Sequence, residues 1–308
     1  MDPFGRTPTR EARVEERLQV PRERAGERLD RFLAAALAVP VERARALVAD
    51  GSVRIRGKTC SPHRKLFGGE EIAVARPRPR AGPAAGPDLE VLHDDADCLV
   101  VAKAAGLPVE PPRPGAPSAV GAAARLGRFD VAGLAAPGLP HRLDRDTSGC
   151  LLLARTDRAL AALKRAFEDG RVEKEYLALV AGAPPDEGAL DTPYGRSPSD
   201  PRRFTTRVAS ARRARLSWKV ERRLRGAALL RVALDTGRTH QIRVQLAEAG
   251  FPVLGDAVYG AASEAIARQA LHAARLAFPR PSDGARVEVR APVPGDLAGA
   301  IQALSDQR

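Results

Sequence analysis

A chain of 308 residues, 44% hydrophobic and 29% charged, is long enough for one sizeable core and a small accessory domain. Its formal net charge of +12 points to a polyanionic partner, nucleic acid first, because basic side chains gain affinity by displacing counterions from phosphates. Cys60, Cys98 and Cys150 are widely separated without a CxxC pair, which argues against a disulfide framework or zinc ribbon and fits a reducing cytoplasm. The polar start MDPFGRTPTREARVEER lacks the apolar stretch of a signal peptide, and no apolar run is long enough to span a membrane.

Residues 1–15 carry Pro, Arg and Glu without apolar periodicity and read as a flexible tail. A small domain is expected over residues 16–77. Leu29, Phe32, Leu33, Ala36 and Leu37 recur at helical spacing, and after Pro40 a second helix follows through Val41, Ala44, Leu47 and Val48 to Gly51. Ser52-Val53-Arg54-Ile55-Arg56 alternates as a strand, Gly57-Lys58 turns, and Gly68-Gly69 precedes another alternating stretch through Ile72 and Val74, giving ααβ plus a short β segment. Residues 78–90 continue a Pro/Gly/Ala-rich stretch, RPRPRAGPAAGPD, that reads as a linker, and residues 91–308 form the larger domain.

In that domain Cys98 to Ala102 and Cys150 to Ala154 are short apolar runs. Thr156-Asp157 caps a helix that buries Leu160, Leu163 and Phe167 and stops at Gly170. Glu175 to Val180, Leu216 to Arg222, Ala228 to Leu234, Leu271 to Phe278 and Ala285 to Arg290 read as strands, with a helix from about Thr239 to Ala249. Without regular βα alternation the class is α+β.

The run His141-Arg142-Leu143-Asp144-Arg145-Asp146-Thr147-Ser148-Gly149 is the densest cluster of chemistry-bearing residues. Flanking guanidiniums favour the charged form of Asp144, a candidate nucleophile or base; on residue type alone a structural ion pair or Asx-turn fits equally, and Asp146 reads as turn chemistry. In Thr236-Gly237-Arg238-Thr239-His240-Gln241-Ile242-Arg243, His240 and Arg243 stand three apart, so both are expected on one helical face, available to a carboxylate from another loop or to a salt-bridged helix start. Trp218 reads as packing more than as a second stacking platform, and Lys174 either binds phosphate or is a solvated strand residue, the second being favoured. His63, His93, His141, His240 and His272 form no HExxH-like set, so no metal is expected.

HRLDRDTSG closely resembles the signature of the RluA family of pseudouridine synthases. Lys174-Glu175-Tyr176 resembles the second motif, and GRTHQIRV with Pro252-Val253-Leu254-Gly255-Asp256 the third, in the family's order. Arg28-Leu29-Asp30-Arg31-Phe32-Leu33 and Gly51-Ser52-Val53-Arg54-Ile55-Arg56-Gly57-Lys58 resemble the S-four-type RNA-binding domain found before many members, so that the resemblance covers about residues 22–305. It implies a mixed, largely antiparallel catalytic sheet and a cofactor-free isomerisation of uridine in structured RNA. Asp144 matches the catalytic carboxylate, which adds to sugar or base or removes a sugar proton. Tyr176 matches the aromatic residue that stacks on the base, and Arg243 the arginine paired with the carboxylate. Arg142 is placed near the flipped nucleotide or its phosphate, with His141, Arg238 and His240 as further substrate contacts and Arg31, Arg43, Arg54 and Lys58 as RNA contacts of the small domain. The chain departs from the usual pattern at Ala102, Ala104, Glu110 and Gln245, and a Ser common at the second helix start is Val41.

The accessory domain favours large-subunit ribosomal over transfer RNA. No membrane and no obligatory protein partner is implied, and a monomer is expected. Two rivals stand beside the enzyme reading: a catalytically inactive RNA-binding factor, and a base-excising glycosylase that would release free uracil.

Overall fold

The structure, a computed structural model, describes residues 13–37, 39, 41–49, 51–77, 80–81, 86–113, 115–131, 134–260 and 262–305. Strand β1 (Arg13–Gln19), helices α1 (Leu29–Ala36) and α2 (Val41–Ala49), and strands β2 (Val53–Ile55) and β3 (Glu71–Pro77) form the small unit, with sheet order β1-β3-β2. Leu29, Phe32 and Leu33 of α1 pack with Ala44, Leu47 and Val48 of α2 on Val53, Ile55, Ile72 and Val74, closing an apolar core. Buried Asp30 of α1 ties the helices together, accepting from Arg28 just before α1 and from Arg45 on α2, each at 2.8 Å. The expected tail is shorter than 1–15, because residues 13–15 already pair with residues 75–77. The ααβ order is corrected accordingly to βααββ. That first strand, RVEERLQ, is charged enough to hide its alternation, and its order comes from pairing with β3.

The linker expected over 78–90 is also partly structured. Residues 78, 79 and 82–85 lie outside the described residues, but β4 (Arg80–Ala81) pairs in parallel with β7 (Leu134–Ala135), Leu89 is buried in an apolar cluster of the larger unit, and Glu90 opens β5 (Glu90–Asp94).

The larger unit continues through β6 (Cys98–Lys103), α3 (Ala119–Ala123), β8 (Ser148–Ala154), α4 (Asp157–Glu168), β9 (Glu173–Ala181), β10 (Glu187–Pro193), β11 (Gly195–Arg196), β12 (Phe204–Thr205), β13 (Arg213–Leu224), β14 (Ala227–Leu234), α5 (Gln241–Glu248), β15 (Leu271–Pro279), β16 (Arg286–Arg290) and α6 (Gly295–Ser305). Among the described residues a nine-stranded mixed sheet runs β10-β13-β14-β9-β15-β8-β6-β5, with β16 paired to β15. Its pairings are antiparallel except β15 with β8.

That parallel contact explains the last residue of the HRLDRDTSG run. Gly149 sits opposite Ala273 with φ 116°, and a Cβ there would collide with the Ala273 backbone. β8 is buried along its whole length, as an apolar strand in the middle of a sheet should be. Thr156 caps α4 as expected, its hydroxyl accepting from the Ala159 amide at 3.1 Å. Trp218 is buried, donating its indole N–H to the Pro185 carbonyl at 3.2 Å, and so is packing rather than a stacking surface. No helix among the described residues is long and apolar enough to cross a membrane.

Candidate active site

The loop entering β8, the start of β9, the end of β14 and the N-terminal end of α5 converge on an open groove of about 1450 Å³. It brings together His141, Arg142, Asp144, Tyr176, Arg238, His240 and Arg243, residues from distant parts of the chain.

Asp144 stands at the centre. Its Oδ2 accepts from Arg243 Nη1 at 2.8 Å and, more loosely, from Gln269 Nε2 at 3.4 Å; Oδ1 lies 3.9 Å from His240 Nε2. One oxygen is held by the protein, then, and the other is left toward the groove. The side chain is 24% exposed against 6% for Arg243.

Arg243 is fixed from three sides. Its Nε and Nη2 form a fork onto Asp256 at 2.6 and 2.9 Å, Nη1 reaches Asp144, and the guanidinium lies 5.2 Å from the Tyr259 ring centroid. Burial disfavours its charge, but the hydrogen bonds and charges of Asp256 and Asp144 more than offset that and raise its pKa. Burial likewise pushes Asp256 upward; the Arg243 pair and the Val258 and Tyr259 amides prevail and hold it below the usual carboxylate range. A permanently charged guanidinium is thus aimed at Asp144 by a partner that stays ionised.

His240 corrects one expectation. Helix α5 begins at Gln241, not near Thr239, and His240 precedes it in a left-handed conformation at φ 59°. It therefore reaches Asp144 from the loop rather than from the helical face that carries Arg243. Such a conformation is costly outside glycine and is held here by surrounding contacts. Tyr259 Oη lies 3.1 Å from His240 Nδ1, Phe204 and Tyr259 meet the ring edge-on, and Tyr194 donates to the Thr239 carbonyl at 2.6 Å. Burial lowers the His240 pKa, only partly countered by Asp144, so the ring is neutral at neutral pH.

Tyr176 is half-buried between two apolar clusters and lines the groove beside Asp144. Burial first, then the Asp144 charge, pushes its phenol upward, so it stays protonated; its hydroxyl makes no hydrogen bond to another described residue. That suits a flat contact surface better than an acid or base.

His141 closes one end of the groove, stacked on Phe167 with centroids 5.0 Å apart and accepting at Nε2 from the Leu152 amide at 2.9 Å. Burial and the nearby Lys174 charge lower its pKa to about 4, and the amide bond leaves the proton of the neutral ring on Nδ1. Lys174 departs from the solvated strand residue expected. It is 8% exposed, lines the groove, and places Nζ 5.8 Å from the Phe167 ring centroid, with its pKa lowered by burial.

Arg142 and Arg238 extend into the groove as exposed cations. Arg142 pairs with Glu110 at 3.2 Å, so the departure at 110 falls inside the site, whereas Arg238 donates to the Arg213 carbonyl at 3.1 Å. Gln245 faces away, buried and bonded to Thr192 and the Ala214 carbonyl.

Sequence reasoning assigned no role to Asp256, Gln269 or Lys103. The first two hold Arg243 and Asp144, and Gln269 also donates to Thr147 at 2.8 Å. Fully buried Lys103 donates to the Ala104, Leu107 and Arg145 carbonyls at 2.8–2.9 Å, tying the loop after β6 to the Asp144 loop. Burial pulls its pKa down to about 8 against the opposing charges of Asp146 and Asp144. A signal was present for Asp256 in its motif position and for Lys103 between Ala102 and Ala104; nothing local marks Gln269.

In the small unit Arg31 is exposed on α1, and Arg54 and Lys58 are exposed around the turn after β2. Arg43 lies on α2, and its side chain is outside those described. His93, Asp95 and Cys98 bring ligand-type atoms within 4.8 Å of one another. Burial pushes the Cys98 thiol far up, while Asp95 accepts from two backbone amides and faces Arg280 at 3.4 Å, so these residues build a strand corner and do not suit a cation.

A carboxylate locked to a buried arginine, beside a protonated tyrosine in an open groove that also presents Arg142, Lys174 and Arg238, gives an enzyme site a reactive group, a flat wall and cations for an anionic substrate. A family model for RNA pseudouridylate synthase matches residues 97–248, which include Asp144, Tyr176 and Arg243. An RNA pseudouridine synthase of Chloroflexus aurantiacus is 39% identical, covering 96% of this chain and 95% of that protein. Ribosomal large subunit pseudouridine synthase D of Xanthomonas campestris is 36% identical over 93% and 92%. The solved structure of human RNA Pseudouridylate Synthase Domain Containing 1 aligns with TM-score 0.56 at 26% identity, covering 67% of this chain and 84% of that one. The chain belongs to the RNA pseudouridylate synthases of the RluA type, which isomerise uridine to pseudouridine in RNA.

Proposed function

We propose that this enzyme modifies uridine in large-subunit ribosomal RNA, with Asp144 as its essential carboxylate. The carrying observation is the Asp144–Arg243 pair at 2.8 Å, which leaves a single carboxylate oxygen toward a groove walled by Tyr176. An uridine extruded from its helix loses its stacking, and a fixed, neutral aromatic wall replaces part of it. Arg142, Arg238, His141 and His240 contact the nucleotide and its phosphates. Arg243 keeps the carboxylate oriented throughout.

The small unit acts as an S-four-like RNA-binding domain that uses Arg31, Arg43, Arg54 and Lys58. The ribosomal assignment leans on that accessory domain and on ribosomal large subunit relatives from Xanthomonas campestris and Neisseria meningitidis, at 36% and 33% identity. We place the enzyme in the cytoplasm as a monomer.

Mapping pseudouridines in ribosomal and transfer RNA from cells with and without the gene tests the substrate. One large-subunit position should lose its modification; loss confined to transfer RNA overturns the assignment. Purified protein should release tritium from RNA labelled at uridine ring carbon five, and free uracil as product would indicate excision instead.

A further inference from the structure

Of the large apolar side chains among the described residues, Phe67 is the most exposed, at 68%. It lies in the small unit, far in sequence from the catalytic groove, at the start of the turn Phe67-Gly68-Gly69 before β3. The two glycines contribute no side chain to cover the ring, and Gly68 packs so tightly on Arg22 that a Cβ would meet its Cα at 2.9 Å. The turn is rigid. The Phe67 amide donates to Glu70 at 2.9 Å, the Gly69 amide to the Val20 carbonyl at 2.8 Å, and Glu70 is itself forked by Arg64 at 2.6 and 2.9 Å. The Arg64 guanidinium sits 5.8 Å from the ring centroid. A fixed turn thus presents an aromatic ring to water, its surface open to a partner.

The surroundings say which partner. Phe67 lines two shallow grooves of about 550 and 600 Å³, and Arg56 lines both with it. The acids in these grooves are already paired, Glu70 with Arg64 and Glu71 with Arg17. Arg54, Arg56 and Lys58 form no ion pair among the described residues and stand exposed on the facing hairpin.

Arg56 also carries the strain of that hairpin. With φ 50° it precedes Gly57 at φ 74°, and Ile55 and Lys58 exchange both backbone hydrogen bonds at 3.0 Å. A two-residue turn of this kind favours Asn-Gly, and a long cation in its first position is out of keeping with the turn alone. A lipid-inserting surface would group several apolar side chains. Here one bare ring stands among cations, the combination that takes single-stranded nucleic acid by stacking a base and neutralising its phosphates.

We propose that Phe67 is a stacking platform for an unpaired RNA base, with Arg54, Arg56 and Lys58 binding the flanking phosphates. The proposal rests on the small unit being RNA-binding, and it adds an unpaired-base requirement that charge alone would not give.

The test uses the full chain, a labelled mixed-sequence single-stranded RNA 12-mer, and an abasic strand of the same sugar-phosphate length. Phe67→Ala should weaken 12-mer binding roughly 5- to 150-fold, the span of one base–aromatic stack, and leave the abasic strand unchanged. Phe67→Trp should bind with quenched emission on the 12-mer and not on the abasic strand. Arg56→Ala should weaken both and lower the salt slope by about 0.7, one single-strand phosphate. Equal affinities for Phe67→Ala and the parent, with no quenching, overturn the platform while leaving the domain's RNA-binding role intact. Unchanged RNA affinity after reversing Arg54, Arg56 and Lys58 to Glu overturns that role as well. Insertion of Phe67→Trp into anionic phosphatidylglycerol vesicles, with no change on RNA, assigns the ring to a membrane and sinks the proposal.

Discussion

Asp256→Asn tests whether Arg243 needs a dedicated counter-ion. The Asp256 carboxylate accepts four hydrogen bonds: Oδ2 from Arg243 Nε at 2.6 Å, and Oδ1 from Arg243 Nη2, the Val258 amide and the Tyr259 amide at 2.9–3.1 Å. The amide oxygen of Asn can keep the Oδ1 contacts, but its NH₂ would then face the Arg243 Nε–H, donor against donor. One charge-assisted bond is lost, worth about 1.5–3 kcal/mol, and a buried guanidinium loses half its neutralising charge. Breaking a buried pair by removing one partner costs roughly 3–5 kcal/mol, and that is the expected loss in denaturant unfolding of the catalytic unit.

Asp144 is then the only carboxylate still bonded to Arg243, and the fork that fixed its position is gone. A misplacement of about 1 Å is enough to slow chemistry roughly 100-fold, so single-turnover pseudouridine formation at saturating RNA should fall by about that factor. RNA affinity should stay near the parent value, because Asp256 lies behind Arg243 and not along the groove. The pH behaviour follows from the lowered folded pKa of Asp256. Its contribution is present above the unfolded value and lost as pH falls through the folded one, so the parent should lose in acid a share of stability that the Asn variant already lacks. Parent-like stability together with a parent-like rate would refute this account of Arg243.

Asp144→Asn should abolish turnover in a tritium-release assay yet bind RNA within a few-fold of the parent; measurable turnover would remove Asp144 from the chemistry. Tyr176→Phe should retain most activity, since the hydroxyl bonds to no described residue, whereas Tyr176→Ala should lose at least ~5-fold, the lower end of one stacking contact of about 1–3 kcal/mol; equal loss in both variants would give the hydroxyl a role. For His141, folded near pH 4 against an ordinary 6.5, the unfolded chain binds more protons between these values, so stability should fall as pH falls across that window. Denaturant titrations of His141→Gln should lack that component, and an unchanged acid slope would show that the ring is not held neutral.

The sequence was most legible where a segment must be buried on both faces. β6 and β8 announced themselves as apolar runs, and α4 by its Thr156 cap and its Leu160–Leu163–Phe167 stripe. β1 and β10 were missed because they lie at sheet edges with exposed faces, so neighbouring strands supply an order that RVEERLQ and EGALDTP do not advertise. α6 escaped notice as well. Its GDLAGAIQALS carries two glycines, and its helix is held by burying Leu297, Ala300 and Ile301 in the core beside β13 rather than by propensity.

For the site, the motifs supplied Asp144, Tyr176 and Arg243 but not the geometry that joins them. Lys174 was misjudged for a related reason. A lysine in a strand reads as solvated until the Phe167 ring is folded against it. His240 reaches Asp144 only through a left-handed backbone, which no periodicity argument anticipates.

The same geometry bears on the glycosylase alternative. Hydrolysis of a glycosidic bond generally employs two carboxyl groups, one donating a proton while the other attacks or activates water. The carboxylate nearest in connectivity to Asp144 is Asp256, joined to it through a single guanidinium, and every Asp256 contact is already committed to Arg243 and two backbone amides. With a folded pKa below the usual range it remains an anion and has no proton to give. Asp144 in turn spends Oδ2 on Arg243 and Gln269 and keeps one oxygen for the substrate. The neighbouring imidazole is pulled toward its neutral form, and the phenol of Tyr176 is held protonated by burial. Of the two carboxylates on Arg243, Asp144 keeps an oxygen for the substrate and Asp256 is the anchor that holds the arginine in place, so this pair does not supply the acid and the nucleophile of a hydrolase.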